Sequence, residues 1–113
     1  MAAAHHRTSN LCGIFDYNGL QGEGPVSKVM EFEPIAAKFL AFGWAVVDIN
    51  GHDHRAILDA FERAEAERTR PTLIIARTIK GKGVSFMEGQ ACWHGSCAPS
   101  DEQLAQACRE LEA

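Results

Sequence analysis

The sequence predicts an α/β fold, a partial parallel sheet flanked by helices, and three observations predict it. Apolar runs alternate with helix-like patterns in the order strand, helix, strand, helix, strand, helix. Two of the runs, AVVDI (45–49) and TLIIA (72–76), are continuous rather than alternating, as expected of parallel strands covered on both faces. Long polar loops follow the first and last strands, at the carboxyl ends where such sheets place their ligands.

The elements follow in order. LCGIFDY, Leu11 to Tyr17, reads as a short buried strand with almost nothing before it, so the sheet reads as truncated and one face of this strand as exposed. An open edge of that kind tends to recruit another chain. A glycine-rich loop, Asn18 to Glu33, comes next. EPIAAKFLAFG carries Pro34 near the first turn of a helix that stops at Gly43, with Ile35, Phe39 and Phe42 spaced for one face. After AVVDI, Asp53 is a good N-cap for a second helix with Ile57, Phe61 and Ala64 on one stripe. TLIIA leads into a long loop, Thr78 to Pro99, of a length that is usually functional or disordered. Ser100 and Gln103 then have the spacing of a capping box ahead of a last helix, whose stripe is Leu104, Ala107, Cys108 and Leu111. Residues 1–9 are expected to be a disordered or flexible extension and 10–113 the later, folded portion of a domain.

Composition bounds the function. A chain of 113 residues holds one small domain, and 46% hydrophobic with 23% charged residues is globular rather than disordered. The net charge of -4, without a basic run among aromatics, argues against a nucleic-acid surface. No apolar run approaches the roughly 20 residues that span a bilayer. The start, MAAAHHRTSN, lacks the apolar core of a signal peptide, which makes a cytoplasmic address the expectation. Four cysteines suit reduced thiols there, with Cys12 and Cys108 expected as small core residues.

The chemistry concentrates in the two loops. The first offers Asp16, Asn18 and Glu23 among Gly19, Gly22 and Gly24. Magnesium takes oxygen ligands from carboxylates, amides, backbone carbonyls and phosphates, and glycines let backbone approach an anion. Asn-Gly after a strand is most often an ordinary turn, and both readings stand. The second loop holds Lys80-Gly81-Lys82-Gly83, a phosphate contact or a solvated loop, and His94 between Trp93 and Gly95. A histidine there has no core role and is open to acid-base or anion-binding work. Cys92, His94 and Cys97 also admit a zinc reading, with Cys108, His52 or His54 as the fourth ligand. His52 and His54 themselves read as surface groups in a strand-to-helix turn.

DYNGLQ, EPIAAKFLAFGW, VVDINGHD, RPTLIIARTIKGKGVSFME and WHG followed by AP and DEQL occur in the order and at the intervals found in one family. From about Asn10 to Leu111 the chain resembles the later part of the diphosphate-binding domain of transketolase, most closely the N-terminal subunit of split transketolases. The resemblance implies thiamine diphosphate and magnesium as cofactors. It makes the Asn18 side-chain oxygen and the Leu20 carbonyl magnesium ligands and has Asp16 support the metal site from behind. Gly22 stands beside the cofactor where the family often has an apolar residue, and Glu23 where it often has Asp. His94 matches a loop histidine that contacts the diphosphate and the reacting sugar, and one extra residue lies between it and Pro99. The Gly-Asp-Gly half of the family's motif is not in this sequence, and the catalytic glutamate belongs to the family's pyrimidine-binding domain.

The expectation is therefore one component of a split enzyme that transfers a two-carbon ketol, or related acyl, unit to an aldehyde acceptor. It would be inactive without a subunit carrying Gly-Asp-Gly and another carrying the pyrimidine domain. Met1 just ahead of a strand favours a separate gene, and a shortened version of a full subunit is the duller possibility. The rival expectation is a non-catalytic binding or scaffold module stabilised by zinc.

Overall fold

The computed structural model describes residues 1–22, 24–95 and 97–112. The chain divides into two compact units, Met1–Tyr17 with Phe32–Thr78, and the described residues of Asn18–Glu31 with Ile79–Ala113.

The first unit is built on three parallel strands, β1 (Cys12–Tyr17), β4 (Ala45–Asn50) and β5 (Thr72–Arg77), in the order β1-β5-β4. The last strand in the sequence is thus the middle of the sheet, which is why Leu73, Ile74 and Ile75 are all buried. Helix α3 (Ile35–Ala41) lies on one face, where Ile35 packs with Leu73 and Ile75 among Phe15, Phe39 and Trp44. Helix α4 (His54–Ala66) lies on the other, setting Ala60 against Val47 and Ile74. Alternate residues of β5 therefore feed opposite cores, the signature of a doubly covered parallel strand. A single helical turn, α1 (Ala2–His5), precedes the sheet.

The helix ends obey the capping expectations. Asp53 accepts the N–H groups of Arg55 at 2.9 Å and Ala56 at 3.2 Å. Gly43, at φ 88°, closes α3 in a Schellman arrangement: its N–H donates to Leu40 and that of Trp44 to Phe39. Such caps contribute about 1 kcal/mol each.

The exposed face expected of the first strand is present, while the burial expected of Cys12, Cys108 and Phe61 is corrected. The first strand is covered on one face only: Gly13, Phe15 and Tyr17 point inward, while Ile14 on the other face is 60% exposed. Helix α4 packs on β4 and β5 through Ala60 against Val47 and Ile74. Cys12 and Cys108 are exposed, not core residues. On α4 the buried positions are Ala60 and Ala64, and the larger Phe61 is exposed.

The second unit contains a two-strand antiparallel ribbon, β2 (Leu20–Gln21) and β3 (Gly24–Pro25), followed by one helical turn, α2 (Val26–Val29). It also contains a 3₁₀ turn, Ala91–His94, and helix α5 (Asp101–Leu111). The glycine-rich stretch after β1 thus has secondary structure that period-based reading missed, because strands of two residues carry no period. Ser100 and Gln103 form the expected capping box. The stripe expected on α5 is buried only at Ala107, with Leu104 and Leu111 exposed.

Candidate functional site

Asn18 immediately follows β1, and its side chain is committed to the backbone beside it. Its Oδ1 accepts the Leu20 N–H at 2.9 Å. Gly19 and Gly22, at φ 73° and 58°, bracket the short strand that follows. A Cβ at either would meet no atom within 4 Å, so the left-handed backbone, not crowding, asks for glycine there.

The ribbon's register decides where the Leu20 carbonyl is spent. Val26 N–H donates to the Gly19 carbonyl at 3.0 Å, and Leu20 pairs with Pro25. Bonded and non-bonded pairs alternate along an antiparallel ladder. Leu20–Pro25 is therefore a non-bonded pair, and Pro25 has no N–H to offer in any case. The Leu20 amide and carbonyl both face away from β3, the amide into Asn18 Oδ1. One lone pair on that amide oxygen is already used, and an amide oxygen has two. Two neutral oxygens, from Asn18 and Leu20, are thus available on one short turn. That donor chemistry fits a hard cation such as magnesium, whose remaining positions go to phosphate oxygens and water. Glu23 lies outside the described residues.

Asp16, near the end of β1 in the first unit, accepts a hydrogen bond from the Thr78 hydroxyl, and Thr78 N–H donates to Tyr17 at 3.1 Å. The carboxylate is thereby held at the carboxyl end of the sheet. Gly51 backs this contact, since a Cβ there would lie 2.5 Å from Thr78 Cγ2. Beside it Arg77 donates to Asp48 at 2.8 Å and to Glu33 at 3.1 Å, with its guanidinium carbon 4.4 Å from the Tyr17 ring centre. The Glu33 carboxyl is held below its usual range, first by the Ile35 N–H and then by Arg77.

His94 ends the 3₁₀ turn and is exposed. Its neighbour Trp93 anchors the turn, donating its indole N–H to the Phe86 carbonyl at 3.3 Å with the two rings 5.6 Å apart. Ser85 in turn is tied to α5, its N–H and hydroxyl donating to the Glu110 carboxylate at 2.6 and 2.7 Å. These contacts hold the Glu110 carboxyl below its usual range, with the Gln106 amide as the largest cause and the Ser85 groups next. An imidazole presented this way can bind an anion or exchange a proton with a bound group.

The phosphate reading of Lys80 to Gly83 is not supported. The Lys82 ammonium and the Gly83 N–H both engage Glu88, at 3.3 and 3.0 Å. The zinc reading fares no better: among the described residues no three His, Cys, Asp or Glu side chains converge to hold a metal ion. Thr78, Gly51, Ser85 and Glu110 went unnoticed in the sequence. Only contacts distant in the chain give them roles, and single-sequence patterns do not carry those.

A parallel sheet with an oxygen-rich glycine turn directly after a strand's carboxyl end defines a cofactor-binding α/β domain. The family described as "Transketolase, thiamine diphosphate binding domain" matches residues 1–111. An apulose-4-phosphate transketolase subunit of Phocaeicola vulgatus is 40% identical over 98% of this chain and 39% of its own length. The 6-deoxy-6-sulfo-D-fructose transketolase subunit SqwG of a Clostridium species is 38% identical over 99% of this chain and 40% of its own. The crystal structure of transketolase from Campylobacter jejuni superposes with a TM-score of 0.89 and 35% identity, over 98% of this chain and 17% of that one. The chain belongs to the transketolase family, in its thiamine diphosphate-binding domain. It spans about two fifths of the length of the two transketolase subunits it matches.

Proposed function

We propose that this chain is a component of a split, thiamine-diphosphate-dependent transketolase that transfers a two-carbon ketol unit, or a related acyl unit, to an aldehyde acceptor. The Asn18 amide oxygen and the Leu20 carbonyl hold magnesium, which carries the cofactor's diphosphate. The family resemblance gives Asp16 a supporting role at the metal site, and Gly22 lets backbone pass close to the cofactor. His94 binds the diphosphate and exchanges a proton with the reacting sugar. The cofactor supplies the carbon–carbon chemistry, while the protein binds, orients and excludes water. The observation that carries this reading is the Asn18 amide oxygen bound to the Leu20 N–H in a register that directs the Leu20 carbonyl away from β3.

The reading also assigns partners: one bearing Gly-Asp-Gly and one bearing the pyrimidine-binding domain. The first unit supports the former. One side of β1 is an open sheet edge, Ile14 on its face is 60% exposed, and a cleft of about 360 Å³ at the strand's start is lined by Leu11, Cys12, Phe61 and Ala64 together with polar Ser9, Asn10, Glu65 and Arg68. An open edge with Ile14 exposed beside it suits pairing with a strand of a partner chain. Both bacterial relatives bear the names of transketolase subunits, which is consistent with a divided enzyme. The test is to isolate the tagged chain from its native lysate with magnesium and thiamine diphosphate and weigh the intact assembly. Co-purifying chains with bound cofactor and Gly-Asp-Gly in one of them are expected. A lone chain without cofactor would reduce the likeness to ancestry and leave a non-catalytic module.

A further inference from the structure

Asn-Gly occurs twice in the chain, at 18–19 and at 50–51. A glycine nitrogen, with no side chain beside it, is the backbone nitrogen best able to reach the side-chain carbon of a preceding asparagine. Both pairs open a turn of the same kind. Leu20 N–H donates to Asn18 Oδ1 at 2.9 Å, and His52 N–H donates to Asn50 Oδ1 at 3.0 Å. The two differ at the glycine. Gly51 N–H donates to the Arg77 carbonyl at 2.8 Å, and its surroundings are crowded, since a Cβ there would lie 2.5 Å from Thr78 Cγ2 and 3.1 Å from Ala76 Cβ. Gly19 is exposed and a Cβ there would meet no atom within 4 Å. Its carbonyl accepts the Val26 N–H, but among the described residues no acceptor takes its own N–H.

We propose that Asn18 is a site of spontaneous deamidation, selected over Asn50 by its free glycine nitrogen. The reactants are the chain and water alone. The Gly19 nitrogen gives its proton to hydroxide and attacks Asn18 Cγ. The new Cγ–N bond closes an imide ring, the Cγ–Nδ2 bond breaks, and the amide nitrogen leaves as ammonia. Water then opens the imide at one carbonyl or the other, giving aspartate or isoaspartate. One water is taken up for each ammonia lost, and nothing is oxidised or reduced. The Leu20 N–H already sits on Oδ1 and stabilises the charge that gathers on that oxygen during attack. His52 N–H offers the same help at Asn50, so the glycine decides the rate. Before Gly51 can attack, it must give up the Arg77 carbonyl and move among Thr78, Ala76 and Arg77. Deamidation puts a carboxylate where Asn18 had a neutral amide, and isoaspartate also adds a methylene to the backbone of the turn. The site stands apart from the proposed transferase activity, because its readout is covalent mass. On the proposed role of Asn18, the same event turns a neutral magnesium ligand into an anionic one.

The full chain, aged at mildly alkaline pH without metal and cleaved with trypsin beside an unaged sample, yields Asn18 in peptide 8–28 and Asn50 in peptide 39–55. Peptide 8–28 is expected to gain the mass difference between water and ammonia, with fragment ions placing it on Asn18 rather than on Asn10 or Gln21. In the folded chain Asn18 should convert faster than Asn50 by about fivefold or more, the factor that one hydrogen bond is worth. In guanidinium chloride both glycine nitrogens are free, and the preference should vanish. Three results overturn the proposal: Asn50 converting as fast as Asn18 in the folded chain, a preference for Asn18 that persists unchanged in denaturant, or an Asn18 that stays intact when folded while the unfolded chain converts it.

Discussion

The Asn18 amide oxygen accepts the Leu20 N–H at 2.9 Å, so the oxygen proposed as a magnesium ligand also closes the turn after β1. The two roles can be separated. Asn18→Ala should cost about 1 kcal/mol from the lost hydrogen bond and raise the magnesium needed for cofactor binding in the assembled enzyme by about tenfold or more. Asn18→Ser rebuilds the turn with a hydroxyl too short to reach a metal as well. Its stability should approach that of the parent while its magnesium requirement stays with Ala. If Ser restores magnesium affinity together with stability, Asn18 is a turn residue and nothing more.

Gly51→Ala tests the support behind Asp16. A Cβ there lies 2.5 Å from Thr78 Cγ2, 3.1 Å from Ala76 Cβ and 3.2 Å from the Arg77 carbonyl. Overpacking of this kind costs about 1–3 kcal/mol. Thr78→Ser removes the closest clashing atom and keeps the hydroxyl that binds Asp16. The double variant Gly51→Ala/Thr78→Ser should therefore recover most of the loss, read as a coupling in denaturant unfolding. Strictly additive effects would place the strain elsewhere.

These two cases mark how far the sequence could be read. β4, β5 and the helix caps were legible because they rest on local chemistry: β-branched runs, Asp53 before an apolar stripe, Ser100 three residues ahead of Gln103. Asn18 and Gly22 were visible as a turn for the same reason. What pins Asp16 was not, since Thr78 is 62 residues away in the chain. Cys12 and Cys108 were misjudged because hydrophobic character predicts burial only where a neighbouring element covers the face. Cys12 stands with Ile14 on the more exposed face of β1, and Cys108 is exposed on α5.

Glu110 gives the second unit a pH dependence. Its carboxylate accepts from Gln106 and from both Ser85 donors, which lowers its pKa on folding. A depressed carboxyl stabilises the fold fully above its unfolded value, about 4.3, and that contribution is lost as pH falls through the folded value. Unfolding midpoints of the parent should thus fall on acidification below about pH 4.5. Glu110→Ala should show a lower midpoint at neutral pH and a flatter acid limb. Parallel acid limbs in the two proteins would mean that Ser85 and Gln106 do not distinguish the ionised form.

His94 and Trp93 should fail in different ways, although they are adjacent. His94 is exposed and ends the 3₁₀ turn, so His94→Ala should change stability by no more than about 0.5 kcal/mol. In the assembled enzyme the same change should lower turnover about a hundredfold, the range of a lost proton-transfer group, and leave the mass of the complex unchanged. Trp93 instead holds the turn through its indole N–H on the Phe86 carbonyl and its ring on Phe86. Trp93→Phe keeps a ring and loses the hydrogen bond, and should cost about 1 kcal/mol with a smaller kinetic effect. Trp93→Ala should do both, destabilising the turn and slowing turnover because His94 is no longer presented in one place. Equal kinetics for parent and His94→Ala would remove the imidazole from the chemistry and leave Trp93 as a structural anchor only.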